Sequence, residues 1–266
     1  MNIPIKLLFL LTFIILINNY QDDYFIDQSS SNNKNEWISL FNGKNLDNWI
    51  VKIKGFPLNQ NAYNTFRVEN GNLIVSYDKY ESFNNTFGHI FYKSPFTNYK
   101  LRLQYRFVGD QVKGGEDWAK KNSGVMIHSQ SPESMELDQS FPVSLEVQLL
   151  GGFDKNIKRP TANLCTPGTH VTMDNQLITK HCINSSSKTY YDDQWIDLEI
   201  LVFHDSIIKH FIEGKEVISY TKPIIGGEYN SLKNKEGKSL KSGYISLQSE
   251  SHPIEFRNIE LMELDL

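Results

Sequence analysis

The sequence predicts an all-β fold, a sandwich or barrel, on three observations. Apolar and polar residues alternate with period two in many short segments, turn residues separate those segments, and no amphipathic helix of convincing length interrupts them. In chain order the alternating segments are Leu73–Tyr77, Lys100–Phe107, Val125–Ser129, Val143–Leu149, Ile196–Phe203, Ile207–Glu213 and Gly243–Gln248. The punctuation is Glu69-Asn70-Gly71, Gly114-Gly115, Gly151-Gly152, Glu213-Gly214-Lys215 and Gly226-Gly227. Sandwiches of this kind run beyond about 200 residues as one domain. No internal repeat divides the chain, so residues 36–266 read as one domain.

The 266 residues are 39% hydrophobic and 12% aromatic, enough to fill a core and too apolar for a disordered chain. Lys and Arg number 27 against 31 Asp and Glu, a net charge of -4. That balance lacks the basic footprint of a nucleic-acid binder and offers no polybasic attraction to membranes. The one long apolar run is Leu7–Ile17, behind Lys6 and ahead of Asn18, Asn19, Gln21, Asp22 and Asp23. It has signal-peptide length and falls short of the roughly 20 residues of a membrane span. Residues 1–20 read as a signal peptide and 21–35 as a polar linker (QSSSNNKN over Gln28–Asn35). No Cys follows to make a lipobox, so the expectation is a secreted or periplasmic protein with no stable membrane insertion after cleavage.

An exported chain can form disulfides. The two cysteines, Cys165 and Cys182, bracket a hairpin-like loop with a turn signal at Asp174-Asn175, which favours a bridge worth roughly 3 kcal/mol. The competing reading is a metal site of these cysteines with His170 and His181, whose spacing fits no zinc template. His170 otherwise reads as support for the loop, and His204 and His210 as strand-face residues without a role.

Polar phase says more. Residues i and i+2 of a strand share a face. One phase collects Arg102, Gln104 and Arg106; a second collects Ser144, Glu146 and Gln148. A third collects Asn122, Gly124, Met126 and His128, and a fourth Gln248, Glu250 and His252. Each row alone could be a solvated outer face. Together they hold Asn, Gln, His, Arg and single Glu residues with few lysines, groups of fixed hydrogen-bonding geometry suited to sugar hydroxyls. Trp118, in the glycine-rich loop, would serve as a stacking platform.

Several stretches resemble the bacterial domain of unknown function 1080 family, described as 3-keto-disaccharide hydrolase domains. They are SLFNGKNLDNW (Ser39–Trp49), FGHIFYKSPFTNYKLRLQYRFVGDQ (Phe87–Gln111), NSGVMIH (Asn122–His128) and FPVSLEVQLLGG (Phe141–Gly152). They continue with NLCTPGTHVTMD (Asn163–Asp174), HCINSSSKTYYDDQW (His181–Trp195) and LQSESHPIEFRNIEL (Leu247–Leu261). The resemblance implies a concanavalin-A-like jelly roll, export from a bacterium and action on glycosides. The cysteines stand where the family places CTPGTH and HC. Asn84 and Asn184 match glycosylation sequons, with neither expected to be modified in a bacterial protein.

Related jelly-roll glucanases carry a Glu-x-Asp-x-Glu strand. Here Gln148 and Leu150 take the places after Glu146, so the second carboxylate must come from elsewhere, with Glu250 as the candidate. A 3-keto sugar needs a base for the acidified C2–H, an enolate stabiliser and an acid for the leaving oxygen. The expected catalytic set is Glu146, His128, His252 and Glu250, with Glu146 as base. Lys93, Arg106, Asn122, Gln148, Gln248 and Trp118 are expected to hold substrate. No cofactor is implied with certainty; a divalent cation on Glu146 and His128 could replace the cationic enolate stabiliser. The partner expected is a carbohydrate, cleaved as a 3-keto-glycoside, against the alternative of a non-catalytic, lectin-like binding module.

Overall fold

The computed structural model describes residues 35–265; the expected signal peptide and all but the last residue of the linker lie outside the described residues. The chain passes through β1 (Ile38–Ser39), β2 (Trp49–Ile53), β3 (Phe66–Glu69), β4 (Asn72–Val75), β5 (Gly88–Tyr92) and β6 (Asn98–Phe107). There follow β7 (Asn122–Ser129), β8 (Leu145–Leu150), β9 (Asn163–Cys165), β10 (Thr169–Met173), β11 (Gln176–Ile178) and β12 (Cys182–Ile183). The last are β13 (Ile196–Phe203), β14 (Ile207–Ile212), β15 (Lys215–Ile225), β16 (Tyr244–Ser249) and β17 (Ile254–Glu263). Among the described residues they form two antiparallel sheets. The ten-stranded sheet has the order β11-β10-β15-β14-β13-β6-β17-β4-β3, with β1 on β17; the seven-stranded sheet has the order β12-β9-β8-β7-β16-β5-β2. No helix among the described residues is long and apolar enough to cross a membrane.

The turns follow from residue chemistry. Asn70-Gly71, Asp174-Asn175 and Glu213-Gly214 join β3–β4, β10–β11 and β14–β15, and both residues of each pair have positive φ. Two consecutive positive-φ residues make the tight hairpin turn whose twist matches that of its strands.

Alternation decides what lies between the sheets. Tyr99, Leu101, Leu103, Tyr105 and Phe107 of β6 are buried in one cluster with Val125 and Ile127 of β7, Leu145, Val147 and Leu149 of β8, and Ile245 and Leu247 of β16. Each such side chain contributes about 1.5–3 kcal/mol by leaving water. The opposite phase of β7, β8 and β16 therefore has to point away from the core, and that face carries the polar rows.

Buried polar groups also tie the two layers. Tyr105 Oη meets Thr161 Oγ1 at 2.6 Å, and Tyr77 Oη accepts from the Ser251 backbone N–H at 2.8 Å. His210 of β14, expected to have no role, is fully buried: Nδ1 lies 2.9 Å from Ala162 O and Nε2 2.8 Å from Tyr220 Oη. A carbonyl can only accept, so Nδ1 carries the proton and Nε2 accepts from the tyrosine. At another edge His128 Nε2 reaches His204 O at 3.0 Å.

Burial pushes the His128 and His210 imidazoles down to about 4. An unfolded histidine titrates near 6.5, so below that pH the unfolded chain binds protons that the folded chain refuses. Their contribution to stability is complete above about pH 6.5 and is lost as pH falls through about 4. In denaturant titrations between pH 7 and 4, His210→Gln, which cannot titrate, will lose less stability than the wild type.

Candidate functional site

The polar face of the seven-stranded sheet is roofed, not open. Lys52, His89, Asn122, Glu146, Asn163, Gln248 and Glu250 are all buried. Register sets them in rows: Lys52 opposite His89, His89 opposite Gln248, Gln148 opposite Asn163, and Glu146 opposite Cys165. Above them lies a cleft of about 790 Å³, lined by Asn122, Glu146, Gln148, Glu250, Arg159 and Lys54. That volume suits a small sugar.

Aromatic side chains from separate loops line one side of the cleft. Trp118 stacks on Phe87 (6.4 Å between centroids, 14° between planes), Phe87 packs against Phe141 at 5.0 Å, Phe141 against Tyr229 at 5.4 Å, and Tyr229 against His181 at 5.3 Å. Trp118 and Tyr229 are half exposed (51% and 52%), leaving faces free to stack on a sugar ring.

Glu146 and Glu250 flank β7, Glu146 on β8 opposite Met126 and Glu250 just past β16, whose register carries it towards the Asn122 end, so they are offset along the strands as well as across β7. Gly124 lets the Glu146 side chain lean over β7: a Cβ there would lie 2.6 Å from Glu146 Oε1. Burial holds the Glu146 carboxyl well above its ordinary range, and burial, with the Glu146 charge adding to it, raises the Glu250 carboxyl as well. Burial of both side chains favours their protonated forms.

The floor holds polar atoms with no protein partner: Gln248 Nε2 and Oε1, Asn122 Oδ1, His89 Nε2, Ser246 Oγ and Glu250 Oε2. Buried polar atoms left unpaired are costly, and their concentration on this face marks where a hydroxylated ligand or water supplies the missing bonds. Gln148 is oriented from behind. Asn163 Nδ2 donates to Gln148 Oε1 at 3.1 Å and to Pro160 O at 2.9 Å, while Asn163 Oδ1 accepts from the Ser185 N–H at 2.9 Å. Gln148 therefore keeps its Nε2 donors for the cleft.

Glu146, Glu250, Asn122, Gln148 and Trp118 thus converge, with Gln248 in the floor beside them. Four expected residues do not join them. Lys93 bonds Asn48 Oδ1 at 3.0 Å beyond the end of β5. Arg106 lies on the outer face of the ten-stranded sheet, paired with Glu255 at 2.7 Å and 4.6 Å over the Trp195 ring; its phase was polar because that face meets water. His128 leaves its row through a β-bulge. Between the pairs Ser246↔Met126 and Tyr244↔Ser129, β7 holds one residue more than β16, and His128 has φ +48°. The extra residue turns its ring to the other sheet. His128 and Glu146 consequently share no coordination site, and among the described residues no three His, Cys, Asp or Glu side chains group as metal ligands. His252 packs edge-on against core Phe107 at 5.7 Å, and burial pushes its imidazole down to about 4.

Phe87, Phe141, Tyr229, Arg159, Lys54 and His89 also belong to the cleft and its floor, and reasoning from polar phase missed them. All but His89 sit outside the strands. His89 follows Gly88 in an otherwise apolar strand, and only the pairing with Gln248 reveals its direction. Cys165 and Cys182 line the same cleft and are bonded, S–S 2.08 Å, as a directly opposed pair of β9 and β12.

A buried carboxylate that gains protons on folding makes stability fall as pH rises. The Glu146–Glu250 pair is neutral in both states below about pH 4, and the folded chain is penalised as pH climbs through the raised pKa range. Glu146→Gln and Glu250→Gln are therefore expected to raise the Tm at pH 8 and to leave it near wild type at pH 4, read by thermal scans at both pH values.

Comparison with solved structures finds proteins that align with the chain. A candidate glycosyl hydrolase from Parabacteroides distasonis ATCC 8503, solved at 2.00 Å, aligns with 18% identity over 86% of this chain and 100% of its own, TM-score 0.52. A second from the same organism aligns at 18% identity over 86% and 94%, TM-score 0.49. The exoplasmic/lumenal domain of VIP36, solved with Ca2+ and Man3GlcNAc, aligns at 8% identity over 85% and 87%, TM-score 0.49. No curated protein matches the chain. The profile of the family described as the 3-keto-alpha-glucoside-1,2-lyase-like domain matches residues 36–262, and the chain belongs to that family.

Proposed function

We propose that this protein cleaves the C1–O bond of 3-keto-glycosides, with the Glu146–Glu250 pair as its acid–base machinery. The observation that carries this reading is the pair itself: two buried carboxyls beneath a sugar-sized cleft with an aromatic wall. A C3 ketone acidifies the C2–H. Glu146, as carboxylate, takes that proton, and the C–H electrons pass into the enolate. Gln148 Nε2 donates to the developing oxyanion, where a preorganised donor is worth most because water is excluded. The enolate then expels the C1 substituent while Glu250, as carboxylic acid, protonates the leaving oxygen. Addition of water to the resulting enone at C1 completes a net hydrolysis. The Cys165–Cys182 disulfide supports an oxidising compartment and hence export.

The half-exposed rings of Trp118 and Tyr229 favour a second reading, a sugar-binding module without turnover. One experiment separates the two. With a 3-keto-glucoside as substrate, Glu146→Gln is expected to lower kcat by roughly 10²–10⁴-fold with KM little changed. Sugar binding with no turnover by the wild type under any condition, divalent cations included, selects the binding module. Full activity of Glu146→Gln together with loss on chelation moves the chemistry from this carboxylate to a metal.

A further inference from the structure

One end of the cleft is strongly cationic, in a chain whose net charge is -4. Arg159 forms the wall there. Its Nε donates to Gly151 O at 3.0 Å, and its Nη2 to Lys120 O at 2.6 Å and Lys121 O at 3.3 Å. All of these acceptors are backbone carbonyls, which fix the guanidinium without neutralising it. It lies 4.8 Å over the ring of Phe153, which is 40% exposed, and the Lys120 ammonium approaches the same ring at 5.0 Å. Beyond Phe153 is a second depression of about 660 Å³, lined by Lys121, Lys155 and Lys188 against a single acid, Asp192. Phe153 lines this depression, and Arg159, which lies over its ring, lines the cleft, so the two hollows adjoin there.

Arg67, Arg102, Arg106 and Lys209 each meet a carboxylate within 2.8 Å. Among the described residues Lys120, Lys121, Lys155, Lys188 and Arg159 meet none. Among the described residues other lysines, Lys44, Lys113 and Lys215 included, also lack a carboxylate, and what sets these cations apart is their convergence on one hollow. Converging like charges repel, and a protein surface that keeps them together without counter-charges is arranged for an anion from outside. An exposed aromatic ring in their midst supplies the stacking face that a sugar carrying the anion needs.

We propose that this hollow is a subsite for an anionic substituent, a carboxylate or a sulfate ester, on the sugar next to the one being cleaved, so that the substrates are acidic glycosides. The inference rests on the glycoside-cleaving reading and adds the substrate class. With Nε and Nη2 held by backbone carbonyls, the Nη1 donors of Arg159 are the ones left to meet an anion from the cleft side. Lys155 and Lys188 are exposed and contribute a salt-sensitive field.

The test compares three probes of equal ring count: 3-keto-glucosides whose aglycone is glucose, glucuronate or glucose 6-sulfate. At low salt kcat/KM for one or both acidic probes is expected to exceed the neutral one by about tenfold, the advantage shrinking several-fold in about 0.5 M NaCl. Lys155→Ala/Lys188→Ala should bring the acidic-to-neutral ratio towards one. A preference for glucuronate over sulfate, or the reverse, identifies the anion. Equal kcat/KM for all three probes, or a ratio that the double variant leaves unmoved, overturns the subsite. Where no probe is turned over, the parent reading fails instead. Calorimetric titration of the same probes then decides the subsite by itself, since tighter binding of an acidic probe supports it and equal affinities overturn it.

Discussion

A carboxylate removed from water on a sheet face must be held there against its own tendency to be solvated, and this constraint organises the molecule. Among the described residues no side-chain hydrogen bond reaches Glu146 or Glu250, yet both are buried and their charges oppose one another. Desolvation of such groups costs several kcal/mol unless protonation relieves it. The frame beneath them therefore has to be stiff and stable for reasons of its own. That stiffness comes from the intersheet core and from the Tyr77, Tyr105, His128 and His210 ties across it. The disulfide clamps the far edge, with Cys165 directly opposite Glu146 in the ladder. Strain at a working site sustained by surplus stability elsewhere is a general trade-off in enzymes.

The same constraint explains the arrangement of the roof. A solvated sheet face would leave two ordinary carboxylates with ordinary acidity. Loops bearing Phe87, Trp118, Phe141 and Tyr229 close over the face and exclude water while keeping ring faces available to a sugar. The outer face of the ten-stranded sheet shows the contrast. Arg102 pairs with Glu260, Arg106 with Glu255 and Gln104 with Asp197, so its polar groups satisfy one another and need no ligand. Two faces with similar residue types thus differ in function through pairing. One is closed upon itself, and the other keeps unpartnered donors and acceptors such as Gln248, Asn122 and Glu250.

The sequence by itself determined the all-β fold, the hairpins at Asp174-Asn175 and Glu213-Gly214, and the direction in which Glu146, Gln148 and Asn122 point. All of these follow from local rules: side chains alternate along a strand, and paired positive-φ residues make tight turns. Family motifs carried the identity of the domain. Tertiary structure alone decided which sheet each polar row belongs to, and so removed Arg106 from the site. It also decided the one-residue bulge that turned His128 to the far layer, since a register slip depends on the partner strand and not on the strand's own residues. The cleft's aromatic wall, and the meeting of Glu250 with Glu146 across β7, join segments widely separated in the chain. No periodicity within one segment encodes such a meeting, because it is set by the order of strands in the sheet and the packing of loops above it.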